Sequence, residues 1–339
     1  MKNKKLQICN TLIHPGEEAN LALPLPDNYS CAPLYMPIKV IHGLKKGPCL
    51  LLFSTLNGNE LNGIEIVNRI MENTKPDQIS GTIIAIPVMN VYGLTHFPSP
   101  SPSNERLIDC FPGKVDGTYG ERFAHIFIEE ILKKADYCIE LDTGDLNHNI
   151  LPQIYCNENL KESKQLAKAF NPPVITNISF DDNSLRQTTE DLHIPLLVYQ
   201  AGEAMRFDEN AIKVGCTGIT NIMHALNIMS SDLPEQTKPL FSQKENWISA
   251  HTAGILHTNY SLGQVIKKGE ILGKITDPFG TGSKEKVKAP KDGIIVGINT
   301  TPLAHEGMPL FKVASFVDYD RAETAIEAWD KRQDTSFLD

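Results

Sequence analysis

Strand and helix signals alternate through the first two-thirds of the chain, and this alternation constrains the fold more than any other feature of the sequence. The apolar run at 49–53 predicts a strand, the pattern at 61–71 predicts a helix, and 82–88, 137–141 and 196–199 predict further strands. Such alternation is typical of an α/β fold with a mixed, largely parallel sheet flanked by helices. Polar residues that follow these strands should then meet at one edge of the sheet.

The C-terminal part of the chain has a different texture and predicts a second domain. From about residue 242 short β-runs are separated by Gly, Pro and Lys, and helical periodicity returns only at 322–331. A single core stops growing at roughly 250–300 residues, so a chain of 339 residues fits two domains. We expect an α/β domain at 1–240, with a short N-terminal β segment at 1–36, and an all-β barrel or sandwich domain at 241–339 that ends in a helix.

Composition and charge argue against several classes of protein. The chain has 32 basic and 41 acidic residues, a net charge of −9, and its basic residues are spread along the sequence. Nucleic acid is therefore not expected as a partner. No apolar run approaches the roughly 18–20 residues of a membrane span, and no signal-peptide core follows the basic N-terminus. The seven cysteines show no paired short spacing. These features predict a cytoplasmic protein with reduced thiols and no membrane partner.

Several short motifs occur in a characteristic order, although each is weak alone. They lie at 57–63, 87–90, 111–113, 139–144, 200–203 and 277–293. Together they resemble the succinylglutamate desuccinylase/aspartoacylase family, relatives of the zinc carboxypeptidases, over roughly residues 35–315. The resemblance implies a zinc-carboxypeptidase-like domain followed by the β domain. It also implies a zinc ion held by two His and one Glu, a Glu as general base, and substrate-binding arginines. Family members hydrolyse the amide bond of an N-acyl amino acid or a similar small molecule.

The zinc-ligand positions implied by the resemblance fall on residues that supply oxygen alone. The first zinc His falls on Asn57, the zinc Glu on Glu60 and the second zinc His on Asp142. Catalytic zinc normally takes His nitrogen beside carboxylate oxygen, whereas an all-oxygen set suits Mg, Mn or Ca. The sequence therefore leaves zinc, another divalent metal, or no metal as alternatives. Glu60 itself either binds a metal or accepts hydrogen bonds from Asn57 and backbone donors.

Two other arrangements could supply chemistry at the strand ends. His96, His148 and His193 lie near or between the motifs and could rebuild a metal site, but they lack the short paired spacing of a zinc-binding helix. Loop or surface roles are the simpler interpretation. Asp142 and Asp145 could act as a carboxylate pair, although turn chemistry explains the same segment.

The positions for catalysis and substrate binding are also substituted. The general-base position falls on Gln200, whose amide cannot take a proton from water at useful pH. The arginine position falls on Asp109, which has the wrong charge for a substrate carboxylate or a developing oxyanion. Three further positions on the substrate side fall on Asn90, Ile108 and Glu203. The irregular stretch 91–113 is the candidate substrate-side loop.

Two functions are compatible with this pattern. The joint substitution at 57, 109, 142 and 200 predicts weak or lost zinc hydrolase activity in a protein that binds a small ligand or a partner. That partner could be an active paralogue or a second copy of the chain. The alternative is an active metal-dependent deacylase with a non-standard metal site, motivated by Glu60. A purely structural role would require a cleft filled by apolar side chains. Only the deacylase needs a stoichiometric metal.

Overall fold

The computed structural model describes residues 2–27, 33–178, 184–230, 239–280 and 284–316, together with 322, 324, 326 and 329 near the C-terminus. In the first part of the chain the strands are β1 Leu6–Ile8, β2 Thr11–Ile13, β3 Glu17–Pro24, β4 Tyr35–His42, β5 Lys45–Ser54, β6 Ser80–Ile86, β7 Tyr137–Gly144, β8 His148–Cys156, β9 Val174–Asn177 and β10 Leu196–Glu203. The α-helices are α1 Leu61–Glu72, α2 Val91–Thr95, α3 Tyr119–Glu130, α4 Lys161–Phe170, α5 Leu185–Asp191 and α6 Glu209–Ala225. Short 3-10 helices occur at Leu107–Cys110 and Leu132–Lys134. The later strands are β11 Leu240–Ser242, β12 Lys244–Ser249, β13 Gly254–His257, β14 Val265–Ile266, β15 Ile271–Thr276, β16 Glu285–Lys288, β17 Gly293–Asn299, β18 Leu303–Ala304 and β19 Pro309–Ser315.

A large mixed sheet forms the centre of the molecule. Its main path runs β12-β19-β17-β8-β10-β7-β5-β6-β4-β3. The central pairs β10/β7, β7/β5 and β5/β6 are parallel, whereas β8/β10 and β4/β6 are antiparallel. This topology confirms the predicted α/β fold with a mixed, largely parallel sheet.

Helices cover both faces of this sheet because each presents one apolar face to it. Helix α1 buries Ile66, Val67 and Ile70 in the layer that also contains residues of α4 and α6. Helix α3 packs into the opposite layer and begins with a capping box formed by Thr118 and Glu121. The α-helix ends at Glu130, and 3-10 geometry follows at 132–134. No helix among the described residues is long and apolar enough to cross a membrane.

The C-terminal strands form a β region that shares the central sheet. Strands β13, β15, β16 and β18 make a four-stranded sheet, while β12, β14, β17 and β19 belong to the large one. Leu272, Ile295 and Phe311 are buried in the apolar cluster of this region. Strand β17 pairs with β8, so hydrogen bonding crosses the predicted boundary near 240, and the domain limits stay a prediction. In the predicted helix 322–331, residues 322, 324, 326 and 329 are helical; the others lie outside the described residues.

Candidate functional site

Neighbouring strands bring the predicted site residues into one row. Asp142 on β7 is paired with Gln200 on β10, and Gln200 is paired with Gln153 on β8. Directly paired residues place their side chains on the same face of a sheet, so these three line up across three strands. Glu140 lies two residues before Asp142 on β7, and Tyr155 lies two residues after Gln153 on β8. Both therefore share that face of the sheet. The predicted meeting of polar side chains at the strand ends is confirmed for Asp142 and Gln200.

The turn between β5 and α1 holds a buried carboxylate. Glu60 is only 2 % exposed, and its Oε1 accepts hydrogen bonds from the backbone N–H of Asn57 at 3.0 Å and from the Asn57 side-chain amide. Its Oε2 accepts from the backbone N–H of Asn59 at 3.1 Å. Burial raises the pKa of Glu60, and the Asn57 donors act in the opposite direction. Glu60 therefore accepts hydrogen bonds from Asn57 and from backbone donors. This confirms one of the two roles expected for it.

Close packing explains why this turn needs glycine and why its neighbour needs asparagine. Gly58 has a φ of +90°, and a Cβ at this position would lie 2.4 Å from the backbone carbonyl carbon of Gly93. Asn90 accepts from the N–H of Gly93 at 2.8 Å and donates to the carbonyls of Leu56 and Pro100. Asn90, predicted on the substrate side, thus ties two loops to the start of α2.

Asp142 lies near the end of β7, and donors engage both of its carboxylate oxygens. Oδ1 accepts from the backbone N–H of Thr143 at 2.8 Å, and Oδ2 accepts from Nε2 of Gln200 at 3.0 Å. Oδ2 also lies 3.6 Å from Nη2 of Arg186. Burial first, and then the neighbouring carboxylates, raise the pKa of Asp142 to about 7. Asp142 therefore belongs to a buried charged group.

The sequence did not identify Arg186 as part of this site. It is the second residue of α5, and its Nε and Nη2 donate to the two oxygens of Glu140 at 3.0 and 2.9 Å. Glu140 is 3 % exposed, so this forked pair compensates a buried charge. The available signal was Glu140 itself, because a carboxylate in a buried strand needs a cationic partner. The partner lies 46 residues away in the sequence, which local patterns do not reveal.

Gln200 has both ends of its amide engaged. Nε2 donates to Asp142 and to the carbonyl of Thr143 at 3.1 Å, and Oε1 accepts from the Tyr155 hydroxyl at 3.3 Å. A neutral amide does not accept a proton near neutral pH, and this amide hydrogen-bonds to Asp142. We call the following residues the strand-end centre: Asn57, Glu60, Glu140, Asp142, Arg186 and Gln200.

A second buried polar group joins this centre to the C-terminal strands. We call Tyr155, Thr176, Glu245 and Lys312 the Tyr155 cluster. Nζ of Lys312 lies 2.6 Å from Oε2 of Glu245 and donates to the Tyr155 oxygen at 2.7 Å. The Tyr155 hydroxyl lies 2.8 Å from Glu245, and Thr176 donates to the same carboxylate at 2.6 Å. Burial and then Glu245 raise the pKa of Tyr155. Its single proton is shared between Glu245 and Gln200.

Three other predicted positions have structural partners. The Asp109 side chain is 62 % exposed and lies 3.7 Å from a neighbouring arginine. Ile108 packs against the apolar layer that contains α3. Glu203 is buried and accepts from the backbone N–H of Asn147 at 3.1 Å and from the Thr300 hydroxyl at 3.2 Å. The substrate-binding roles of these residues stay predictions.

The three candidate histidines have separate surroundings. His96 stacks on Tyr92 with ring centroids 4.2 Å apart, and Nδ1 of His148 lies 3.8 Å from the exposed carboxylate of Asp145. His193 follows α5 with a φ of 57°. Within the parts of the chain that the structure describes, no three His, Cys, Asp or Glu side chains group closely enough to hold a metal ion. His96 and His193 are exposed and fit the simpler interpretation of loop or surface roles, whereas His148 is the half-buried first residue of β8.

At the positions where the motifs predict zinc ligands, the donor set does not fit a zinc ion. The Asn57 amide turns its nitrogen to Glu60, and both carboxylates already accept N–H groups. A carboxylate offers about four acceptor sites, so few remain at Glu60. The set contains no imidazole, which zinc sites of this kind use. The guanidinium of Arg186, 3.6 Å from Asp142, would also repel a second cation.

The fold defines an α/β protein with a mixed, largely parallel sheet flanked by helices and an added C-terminal β region. The family of the succinylglutamate desuccinylase/aspartoacylase catalytic domain matches residues 46–226, more than half of the chain. The chain belongs to the succinylglutamate desuccinylase/aspartoacylase family, which confirms the resemblance seen in the motifs.

Relatives of known identity are distant but cover nearly the whole chain. The N-alpha-acetyl-L-2,4-diaminobutyric acid deacetylase of Halomonas elongata is 21 % identical over 312 residues, which cover 88 % of this chain and 91 % of that protein. The apo structure of the ectoine utilization protein EutE (DoeB) from Ruegeria pomeroyi has a TM-score of 0.79 at 19 % identity, covering 92 % of this chain and 99 % of that one. A succinylglutamate desuccinylase/aspartoacylase from Rhodobacter sphaeroides has a TM-score of 0.78 at 18 % identity, covering 88 % and 96 %. Such structural similarity supports the fold.

Proposed function

We propose that this chain has weak or no zinc-dependent hydrolase activity and binds a small ligand at the strand-end centre. One observation carries the proposal. The amides of Asn57 and Gln200 donate to Glu60 and Asp142, the two carboxylates that stand where the family motif places zinc ligands. Each amide replaces a group that the family's hydrolysis requires, and each now has a hydrogen-bonding role.

The ligand class follows from family membership. The curated relative is named as a deacetylase of an N-acetylated amino acid, and the family as desuccinylases and aspartoacylases. An acyl amino acid, or a small molecule of similar shape, is therefore the first class of ligand to test on this chain.

Hydrolysis of an amide bond requires an activated water molecule. A general base must take a proton from that water, and Gln200 offers only an amide in the base position. Its oxygen already accepts from Tyr155 and its nitrogen donates to Asp142. This arrangement is consistent with binding without turnover.

The second candidate is an active deacylase that uses a non-standard metal. Retention of Glu60 beside Asp142 favours it, because carboxylate oxygens suit Mn or Mg. The two candidates differ in metal content and in turnover, so one experiment separates them.

The experiment measures metal content, turnover and ligand binding on the same protein. The chain, purified without a His tag, is incubated with Zn, Mn or Mg, dialysed, and assayed for metal per chain by plasma mass spectrometry. N-acetyl and N-succinyl amino acids are then tested for amine release and for a shift in the thermal midpoint. We expect no stoichiometric metal, no turnover, and a shift with at least one compound.

Glu60→Gln is the matched control, since it removes one charge and keeps the side-chain size. Near one equivalent of retained metal, together with turnover that Glu60→Gln abolishes, would contradict the proposal and establish the deacylase. Absence of any thermal shift would contradict ligand binding. Light scattering on the same samples would then show whether the chain binds a second copy of itself instead of a small ligand. A second copy is one of the partners expected from the sequence.

A further inference from the structure

The strand-end centre buries more carboxylates than an uncharged interior tolerates. Glu60 and Glu140 are 2 % and 3 % exposed, and the Asp142 side chain is 14 % exposed. Buried carboxylates need a compensating cation or a full set of hydrogen-bond donors. Glu60 accepts three N–H groups, so Glu140 and Asp142 are the carboxylates that call for a cation.

Arg186 supplies that charge with a defined geometry. Its Nη2 atom lies 2.9 Å from Oε1 of Glu140 and 3.6 Å from Oδ2 of Asp142, while Nε donates to the other Glu140 oxygen. One guanidinium therefore spans two carboxylates of the same strand. The Arg186 side chain is largely buried, at 21 % exposure, and a guanidinium stays protonated at any pH a protein survives.

We propose that Arg186 is the resident cation of the strand-end centre, supplying the counter-charge to Glu140 and Asp142 and excluding a divalent metal ion. This inference goes beyond the loss of ligands at 57 and 142. A metal ion bound by Asp142 would lie within a few ångströms of a fixed positive charge, and a low-dielectric interior screens their repulsion poorly. Restoring the two histidines alone would therefore leave the site a weak metal binder.

Two variants that differ at one residue test this. The first carries Asn57→His and Asp142→His, which restores the ligand types beside Glu60. The second adds Arg186→Gln. Zinc retained after dialysis is measured by plasma mass spectrometry, and affinity by competition with a chromogenic chelator. We expect the variant with Arg186→Gln to retain near one zinc per chain and to bind it at least about tenfold more tightly than the variant that keeps Arg186.

Control variants separate charge from fold and shape. Arg69 is a surface arginine paired with Glu65 and Glu209, so Arg69→Gln added to the two histidines should leave zinc affinity unchanged. Arg186→Lys keeps a positive charge and should still exclude zinc. If Arg186→Gln fails to fold, as judged by circular dichroism, Glu140→Gln is added to remove the unpaired charge and the comparison is repeated.

Equal zinc affinity with and without Arg186, or zinc in neither variant, would overturn the inference. That failure is distinct from a failure of the proposed function, which is read on the unmodified chain. Turnover by the unmodified, metal-free chain would contradict the proposed function and leave the role of Arg186 standing. If the unmodified chain shows no turnover but the two variants bind zinc with equal affinity, the proposed function stands and the role of Arg186 is contradicted.

Discussion

The strand-end centre and the Tyr155 cluster are both buried polar groups, but their charges are arranged differently. The Tyr155 cluster pairs one carboxylate with one ammonium, Glu245 with Lys312 at 2.6 Å, and two hydroxyls complete the carboxylate's hydrogen bonds. The strand-end centre sets three carboxylates against the single guanidinium of Arg186. The first group is balanced in acidic and basic side chains, whereas the second has more carboxylates than cations.

The two groups also differ in the parts of the fold that their side chains connect. Glu245 on β12 and Lys312 on β19 form the balanced pair, and both side chains contact Tyr155 on β8 within the large sheet. In the strand-end centre, burial first and then the carboxylates of Glu60 and Glu140 raise the pKa of Asp142 to about 7, and perturbed groups of this kind cluster at functional sites. Gln200 hydrogen-bonds to both groups and is the direct link between them.

Removal of the only cation that contacts Glu140 and Asp142 in the described residues should have the largest effect. Arg186→Met leaves both carboxylates buried without a counter-charge, and breaking a buried pair in this way typically costs about 3–5 kcal/mol. We expect that loss in the free energy of unfolding, measured by urea denaturation at neutral pH. The matched control is Arg69→Met at an exposed pair, where a change within about 0.5–1 kcal/mol is expected. Equal effects of the two variants would show that the excess charge is not compensated by Arg186.

Much of the fold could be predicted from the sequence because its signals are local. The apolar run at 49–53 and the helix that follows it form one strand–turn–helix unit, and the structure places them as β5 and α1. The end of α3 was less predictable, because lysines suited to a last helical turn occur where the chain passes into 3-10 geometry. Boundaries depend on packing and capping more than on periodicity.

The candidate site could be predicted only where a motif pointed to it. Asn57, Glu60, Asp142 and Gln200 were found from strand-end motifs, and the hydrogen bond from Asn57 to Glu60 was one of two expected roles. Arg186 and the Lys312–Glu245 pair were not found, because each joins residues far apart in the sequence. Glu140 and Glu245 look like ordinary strand residues in the sequence, and only the structure shows that their side chains are 3 % and 6 % exposed.

We expect the next largest loss of stability when a charge is removed from the Tyr155 cluster. Lys312→Met leaves Glu245 buried, but the hydroxyls of Tyr155 and Thr176 still donate to it. We therefore expect a smaller loss, about 2–3 kcal/mol in the free energy of unfolding by urea denaturation. The double variant Glu245→Gln/Lys312→Met removes both charges and should recover most of that loss. If the double variant is as unstable as the single one, packing of the Lys312 stem, and not charge balance, accounts for the effect.

The smallest expected effect is a change with pH in the free energy of unfolding, caused by the carboxylate of Asp142. Asp142 is faced by Glu60 from the turn, Glu140 from its own strand and Arg186 from α5, and its pKa in the folded chain is about 7 against an ordinary value of 3.8. The folded state therefore binds this proton more tightly than the unfolded state, so its contribution to stability is present in full below the ordinary pKa and is lost as pH rises through 7. Asp142→Asn removes this contribution. Relative to that variant, the unmodified chain should lose on the order of 2 kcal/mol in unfolding free energy between about pH 5 and about pH 8.

Asp145→Asn provides the control for this pH effect, because its carboxylate lies three residues away and its side chain is 90 % exposed. It should follow the pH profile of the unmodified chain. A profile of Asp142→Asn parallel to that of the unmodified chain would mean that Arg186 balances Asp142 as fully as Lys312 balances Glu245. The contrast between the two buried groups would then be one of geometry alone. A diverging profile instead identifies the strand-end centre as the place where the chain retains charge that folding alone does not favour.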